Sequence, residues 1–216
     1  MLASCFMLSA IHSSAQDANK GPFNGHSFDG WTMQDGRPVG GEWNIEDGTI
    51  HLKREKGRSG HIVTVKEYGD FTLEFEFKIA KGGNSGIKYR VRSFGNRVLG
   101  CEYQIYDDEG AKKVAAKYST GSLYDVYEPN ERKKLRPAGE WNKAKIVVQG
   151  NRIEHWLNDE LIVVATVGDA EWKKRIAESK FNDAVGFGEN TLGKLMLTDH
   201  GSEVWYRNFV FNTTNK

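Results

Sequence analysis

The stretch FTLEFEFKI, residues 71–79, decides the fold. Phe71, Leu73, Phe75, Phe77 and Ile79 fall on one side of an extended chain, and Thr72, Glu74, Glu76 and Lys78 on the other. Such period-two alternation marks a β-strand with one buried and one solvated face. Working outward, similar runs occupy 61–65, 87–91, 101–106, 145–148, 153–157, 161–167, 195–197 and 204–211, most of them bounded by Gly, Asn or Asp. Upstream, GEWNIEDGTIHL (41–52) reads as a hairpin around Asp47-Gly48, a pair suited to a turn in which both residues need positive φ. Downstream, Gly150-Asn151 and Asn158-Asp159 stitch 144–167 into a three-stranded meander. A single short helix fits at 171–179, capped by Asp169, with Trp172, Ile176 and Arg175 turned inward. Strands at this density, with one helical decoration, argue for an all-β sandwich or barrel. Trp43 alternates with Ile45 and Trp31 follows the Asp29-Gly30 turn, so both are assigned to the core.

Composition narrows the functions. The chain has 216 residues and a formal net charge of +1, with its acids and bases interspersed. No basic stripe is available for phosphate neutralisation, which argues against nucleic acid. The 24 glycines against 4 prolines suit a fold with many tight turns. The apolar run LASCFMLSAI (2–11), followed by Ser13-Ser14-Ala15, has the layout of a secretory signal over 1–15, leaving one domain over 16–216. The run is too short to span a bilayer as a mature helix. Export to the periplasm or beyond is therefore expected, with lipid anchoring through Cys5 the lesser alternative. Cys101 is then the only cysteine of the mature chain, so no internal disulfide is expected and stability must come from the core.

Candidate chemistry lies on the polar faces. Lys88, Arg90 and Arg92 alternate with Ile87, Tyr89 and Val91, while Glu102, Gln104 and Tyr106 alternate with Cys101, Tyr103 and Ile105. Consecutive strands often pair, which would gather these side chains into one patch. A solvated face with cross-strand charge pairs fits the same pattern. Glu74 and Glu76 lie about 7 Å apart along their strand and are read as surface. Of the histidines, His155 and His200 stand among Trp156, Asp199, Trp205 and Arg207, whereas His26, His51 and His61 sit near turns or strand ends. A lone histidine is nonetheless more often structural than catalytic. The zinc, thiol-nucleophile and serine-elbow motifs are missing.

Taken in order, Phe23-Asn24-Gly25, Asp29-Gly30-Trp31, Glu42-Trp43-Asn44-Ile45, Gly83-Asn84-Ser85-Gly86-Ile87 with Arg90, Glu102-Tyr103-Gln104-Ile105, Thr120-Gly121-Ser122-Leu123-Tyr124, Gly139-Glu140-Trp141-Asn142, His155-Trp156-Leu157-Asn158, Asp199-His200-Gly201 and Val204-Trp205-Tyr206-Arg207-Asn208 form a longer pattern. The pattern resembles the 3-keto-disaccharide hydrolase family from Pro22 to about Asn212. The resemblance implies a concanavalin A-like jelly-roll sandwich of two antiparallel sheets, with a carbohydrate site on one of them. It also implies an upstream sugar 3-dehydrogenase to make the keto group.

Double displacement needs two carboxylates, and Gln104 stands where a second would follow Glu102. A 3-keto sugar relaxes that need, because its carbonyl acidifies the C2 proton and lets the C1 substituent leave by elimination, with water able to add back. One base, one enolate stabiliser and one acid then suffice. The expected assignments are Glu102 or His155 as base, Arg90 or Lys88 at the enolate and His200 as proton donor. Asn84, Gln104, Tyr124, Asp199 and Arg207 are assigned to substrate binding, and Trp205 to stacking on a sugar face. No cofactor is required, although a divalent metal held through His155 or His200 stays open. The alternative function is a non-catalytic carbohydrate-binding module on the same sandwich.

Overall fold

The structure, a computed structural model, describes residues 21–55, 57–110 and 114–213; the signal segment and Cys5 lie outside them. Among the described residues, twelve strands form two sheets. They are β1 (Trp31–Met33), β2 (Trp43–Glu46), β3 (Thr49–Leu52), β4 (Ile62–Thr64), β5 (Phe71–Ile79), β6 (Asn84–Phe94), β7 (Arg97–Tyr106), β8 (Asn142–Gln149), β9 (Arg152–Leu157), β10 (Glu160–Thr166), β11 (Lys194–Leu197) and β12 (Val204–Thr213). One sheet runs β1-β4-β11-β6-β7 and the other β10-β9-β8-β5-β12-β3-β2. All pairings are antiparallel. This is the concanavalin A-like jelly-roll sandwich.

The alternation in 71–79 does what its pattern requires. Every apolar residue of β5 is buried, every polar one faces outward, and β5 lies inside the larger sheet between β8 and β12. Its aromatics meet the smaller sheet across the core, Phe75 against Tyr103 at 5.8 Å and Phe71 against Tyr89 at 6.1 Å between ring centroids. Each such side chain contributes about 1.5–3 kcal/mol by burial. The β2–β3 hairpin turns at Asp47 and Gly48, with φ of 48° and 74°. The meander β8-β9-β10 is present as read. Trp31 and Trp43 are both core residues, their indole N–H groups donating to the carbonyls of Pro22 and Gly60. The helix α1 (Ala170–Ala177) starts one residue earlier than expected, with Asp169 accepting from the Trp172 amide at 2.7 Å.

The alternation breaks in β6. Arg90 has φ 53° and sits at a register shift between Tyr89 and Arg92. This β-bulge adds a residue on one strand and exchanges the faces beyond it. Val91, expected inside, packs with Val63 and Met196 in a separate apolar cluster. Arg90, expected outside, is buried and donates to the carbonyls of Gly188 and Gly150.

Candidate functional site

The outer face of the smaller sheet gathers most of the chemistry. On β7, Cys101, Tyr103 and Ile105 belong to the core, so Glu102 and Gln104 project the other way. On β6, Lys88 lies directly across from Glu102 and Gly86 across from Gln104. The absence of a side chain at Gly86 makes room: a Cβ there would sit 2.6 Å from Glu102 Oε1. Lys88 Nζ is 3.8 Å from Glu102 Oε2, and His200 Nε2 is 4.0 Å from Oε1. Thr198, just past β11, places its hydroxyl 3.3 Å from the same Oε1. Gln104 Nε2 donates to Asn84 Oδ1 at 3.0 Å. The Tyr124 amide donates to the Glu102 carbonyl, and Lys180 lies over the Tyr124 ring at 4.1 Å.

Burial pushes the Glu102 carboxyl up, but Lys88, His200 and Lys180 together outweigh it and hold the group below the usual carboxylate range. The group is therefore an ionised carboxylate at neutral pH, nearly out of solvent and ringed by donors. Desolvation lowers the Lys180 ammonium, partly opposed by Glu102. Desolvation, then Glu102, raises the Tyr124 phenol.

Six of the expected residues, Asn84, Lys88, Glu102, Gln104, Tyr124 and His200, thus come together. Asp199 is next to them but has a different task. Its Oδ2 accepts the amides of Ser59 and Gly60, and its Oδ1 accepts that of Gly201, so the carboxylate shapes the loops around the site.

Four expectations are corrected. His155 is wholly buried between the sheets, bonded to Gly121 O at 3.0 Å through Nδ1 and to Tyr89 Oη at 2.8 Å through Nε2. Because a carbonyl can only accept, Nδ1 carries the proton and Tyr89 donates to Nε2. Burial lowers this imidazole to about 4. Arg90 is withdrawn by the bulge. Trp205 and Arg207 alternate with the buried Val204 and Tyr206, and so lie on the outer face of the larger sheet. There Trp205 stacks on His51 at 4.6 Å, and Arg207 bonds Glu76 at 2.8 Å while lying over Trp141 at 3.9 Å. A recess of about 250 Å³ on that face is lined by Glu74, Lys143, Lys145, Trp156 and Asp159. Glu74 and Glu76 are surface groups there, as read.

Three residues at the site had no sequence signal. His61 precedes β4, which pairs with β11, and its ring meets that of His200 at 5.6 Å. Thr198 and Lys180 arrive by the same long-range route, from the end of β11 and the segment after α1. No group of three or more His, Cys, Asp or Glu close enough to hold a metal ion is found among the described residues.

Residues 20–212 match the family model described as a 3-keto-alpha-glucoside-1,2-lyase-like domain. The chain belongs to this family. Within the 3-keto-α-glucoside-1,2-lyase-like group, it is 32% identical to the 3-keto-disaccharide hydrolase of Bacteroides thetaiotaomicron, covering 86% of this chain and 75% of that protein. It is also similar to the solved structure of a Parabacteroides distasonis protein described as a candidate glycosyl hydrolase. That match has 32% identity and a TM-score of 0.80, covering 94% of this chain and 98% of the other. The fold alone extends to the CBM66 carbohydrate-binding module of Bacillus subtilis, at 16% identity and a TM-score of 0.51, covering 85% and 96%. The motif order that suggested the family is borne out. No helix among the described residues is long and apolar enough to cross a membrane.

Proposed function

We propose that this protein cleaves 3-keto-glycosides or 3-keto-disaccharides by removing the C2 proton and expelling the C1 substituent. The carrying observation is one ionised, nearly buried carboxylate, Glu102, set between Lys88 and His200 with no free carboxylate beside it among the described residues. Gln104 holds the next outward position on β7, and the nearby acids are occupied. Asp199 is bound by three backbone amides, and Asp125 pairs with Lys117 at 2.5 Å. Ordinary glycoside hydrolysis needs two working carboxylates, about 5–5.5 Å apart for retention or about 6.5–9.5 Å for inversion. Elimination from a 3-keto sugar needs one base. Family membership points the same way.

In this reading Glu102 takes the C2 proton, and the C–H electron pair becomes the C2–C3 double bond of an enolate. Lys88 supplies positive charge against both the carboxylate and the enolate. Collapse of the enolate breaks the C1–O bond, and the leaving oxygen takes a proton from His200. Water addition to the unsaturated product would complete a net hydrolysis. Asn84, Gln104 and Tyr124 line the approach as hydroxyl partners. Export, resting on the apolar run 2–11, and C3 oxidation by a separate dehydrogenase belong to the same proposal.

Aglycone release from matched 3-keto and unoxidised aryl glucosides, with and without chelator, tests it. Release from the keto forms alone is expected, with a deuterium isotope effect at C2 and loss of about 10²–10⁴-fold in kcat for Glu102→Gln. Turnover of unoxidised substrates, or full activity of that variant, would remove its basis. Sugar binding with no release from any substrate would make the protein a binding module instead.

A further inference from the structure

We infer that His61 is a further catalytic residue, whose Nε2–H donates a hydrogen bond to the C3 oxygen of the sugar as that oxygen acquires enolate charge. The inference rests on the elimination reading above.

The argument begins with one backbone bond. The Asp199 amide lies 2.8 Å from His61 Nδ1. An amide N–H can only donate, so Nδ1 must be the lone-pair nitrogen, and in the neutral ring the proton sits on Nε2. Asp199 is held by its own bonds to Ser59, Gly60 and Gly201, so the amide that sets this tautomer is itself fixed in place. Nε2 lies on the opposite side of the ring and makes no hydrogen bond among the described residues. The ring is half-buried, at 5.6 Å from that of His200 and so beside the Glu102 carboxylate that His200 approaches.

Burial, aided by nearby cations, keeps the ring neutral. Burial comes first, then Lys88 and His200, and they outweigh Glu102 and Asp199 to lower His61 to about 4. On its other side, the recess shared with His61 contains Asp35 and Arg37, which pair with each other at 2.7 Å. A neutral imidazole donor near a carbonyl is an established catalytic arrangement, as in triosephosphate isomerase. It stabilises the enolate without transferring its proton to it, and it holds the same form across the working pH range. Lys88 contributes charge but is already opposed to Glu102, so the directed bond falls to His61. Two histidines at one site then divide the work, one held as a neutral donor and the other left to give a proton.

The test uses methyl 3-keto-α-glucoside labelled with ¹³C at C3. Bound to Glu102→Gln, which preserves the substrate, its carbonyl resonance should move downfield from the free position. The shift should vanish in Glu102→Gln/His61→Asn. In the otherwise intact enzyme, His61→Asn keeps an acceptor near the Asp199 amide but lacks the distal donor. It should lose on the order of 10²–10³-fold in kcat with little change in KM. His61→Gln, which restores an N–H at that reach, should recover part of the loss. A carbonyl shift unaffected by His61→Asn, or kcat within a few-fold of the parent, would overturn the inference. Should the variants misfold, long-range ¹H–¹⁵N correlation on the unmodified protein decides. The Nε2–H tautomer at neutral pH supports the role, and Nδ1–H or imidazolium refutes it. A parent enzyme that releases no methanol would sink the elimination reading alone, because the carbonyl shift reports the His61 contact without turnover.

Discussion

Glu102 is required to be ionised and to be a base, and its surroundings favour the first. Lys88, His200 and Lys180 keep the carboxylate charged, which lowers its intrinsic pull on the C2 proton. The 3-keto group makes this tolerable, since an adjacent carbonyl acidifies that proton. Position must then do the rest, and position depends on Gly86. A methyl group there would approach Glu102 Oε1 to 2.6 Å and the Tyr103 carbonyl to 2.9 Å, so the carboxylate would have to turn away. Gly86→Ala should lower kcat at least about tenfold, since misplacing a reacting group by an ångström is worth about that much or more. Steady-state kinetics and thermal melts check it, and unchanged kcat would mean that the carboxylate has room not evident here. An accompanying stability loss of about 1–3 kcal/mol is the usual cost of overpacking.

At the scale of elements, the bulge in β6 separates catalysis from structure within a few residues. Before it, Lys88 faces outward to Glu102; at it, Arg90 turns inward and ties the smaller sheet to Gly150 in the β8–β9 turn and to Gly188. Regular alternation would have stacked both cations beside Glu102. Arg90→Ala should therefore destabilise the protein by about 2–4 kcal/mol, because two carbonyls lose their charged donor. Arg90→Gly should cost less, since glycine accepts the φ of 53° without strain. Urea melts of the two variants give the comparison. Equal losses would show that backbone strain at this position is negligible.

At the scale of the whole molecule, the two sheets give His155 an environment that couples stability to pH. Its folded value of about 4 lies below the ordinary 6.5, so between these values the unfolded chain binds more protons than the folded one. Stability is accordingly full above about pH 6.5 and falls as pH drops toward 4, by roughly 3 kcal/mol for this fully buried ring. His61, lowered to about 4 chiefly by burial, shifts in the same direction and adds to the same slope. Denaturation between pH 7 and 4.5 should show the slope, and His155→Gln should flatten it. A level profile in the parent protein would contradict the burial of a neutral imidazole between the sheets.

Much of this architecture was legible in local pattern. Period-two alternation at 71–79 and 101–106, and turn pairs such as Asp47-Gly48, depend on near neighbours, so strands, hairpins and the outward direction of Glu102 and Gln104 could be read directly. Motif order also carried the family. What the chain could not disclose was which outward faces coincide. Trp205 and Arg207 alternate as cleanly as Glu102 and Gln104, yet they sit on the other sheet, because sheet membership follows long-range pairing. The polar neighbourhood of His155 concealed its inward register. The bulge moved Arg90 by a single backbone torsion that no spacing announces. His61 and Thr198 reach the site because β4, β11 and β6 lie side by side, although the chain separates them by many residues. Sequence alone determined most of the strands and, up to the bulge in β6, their polarity, since those follow from local sterics and hydrophobic period. Only the tertiary structure decided the site, since a site is a coincidence of distant residues fixed by sheet order and register.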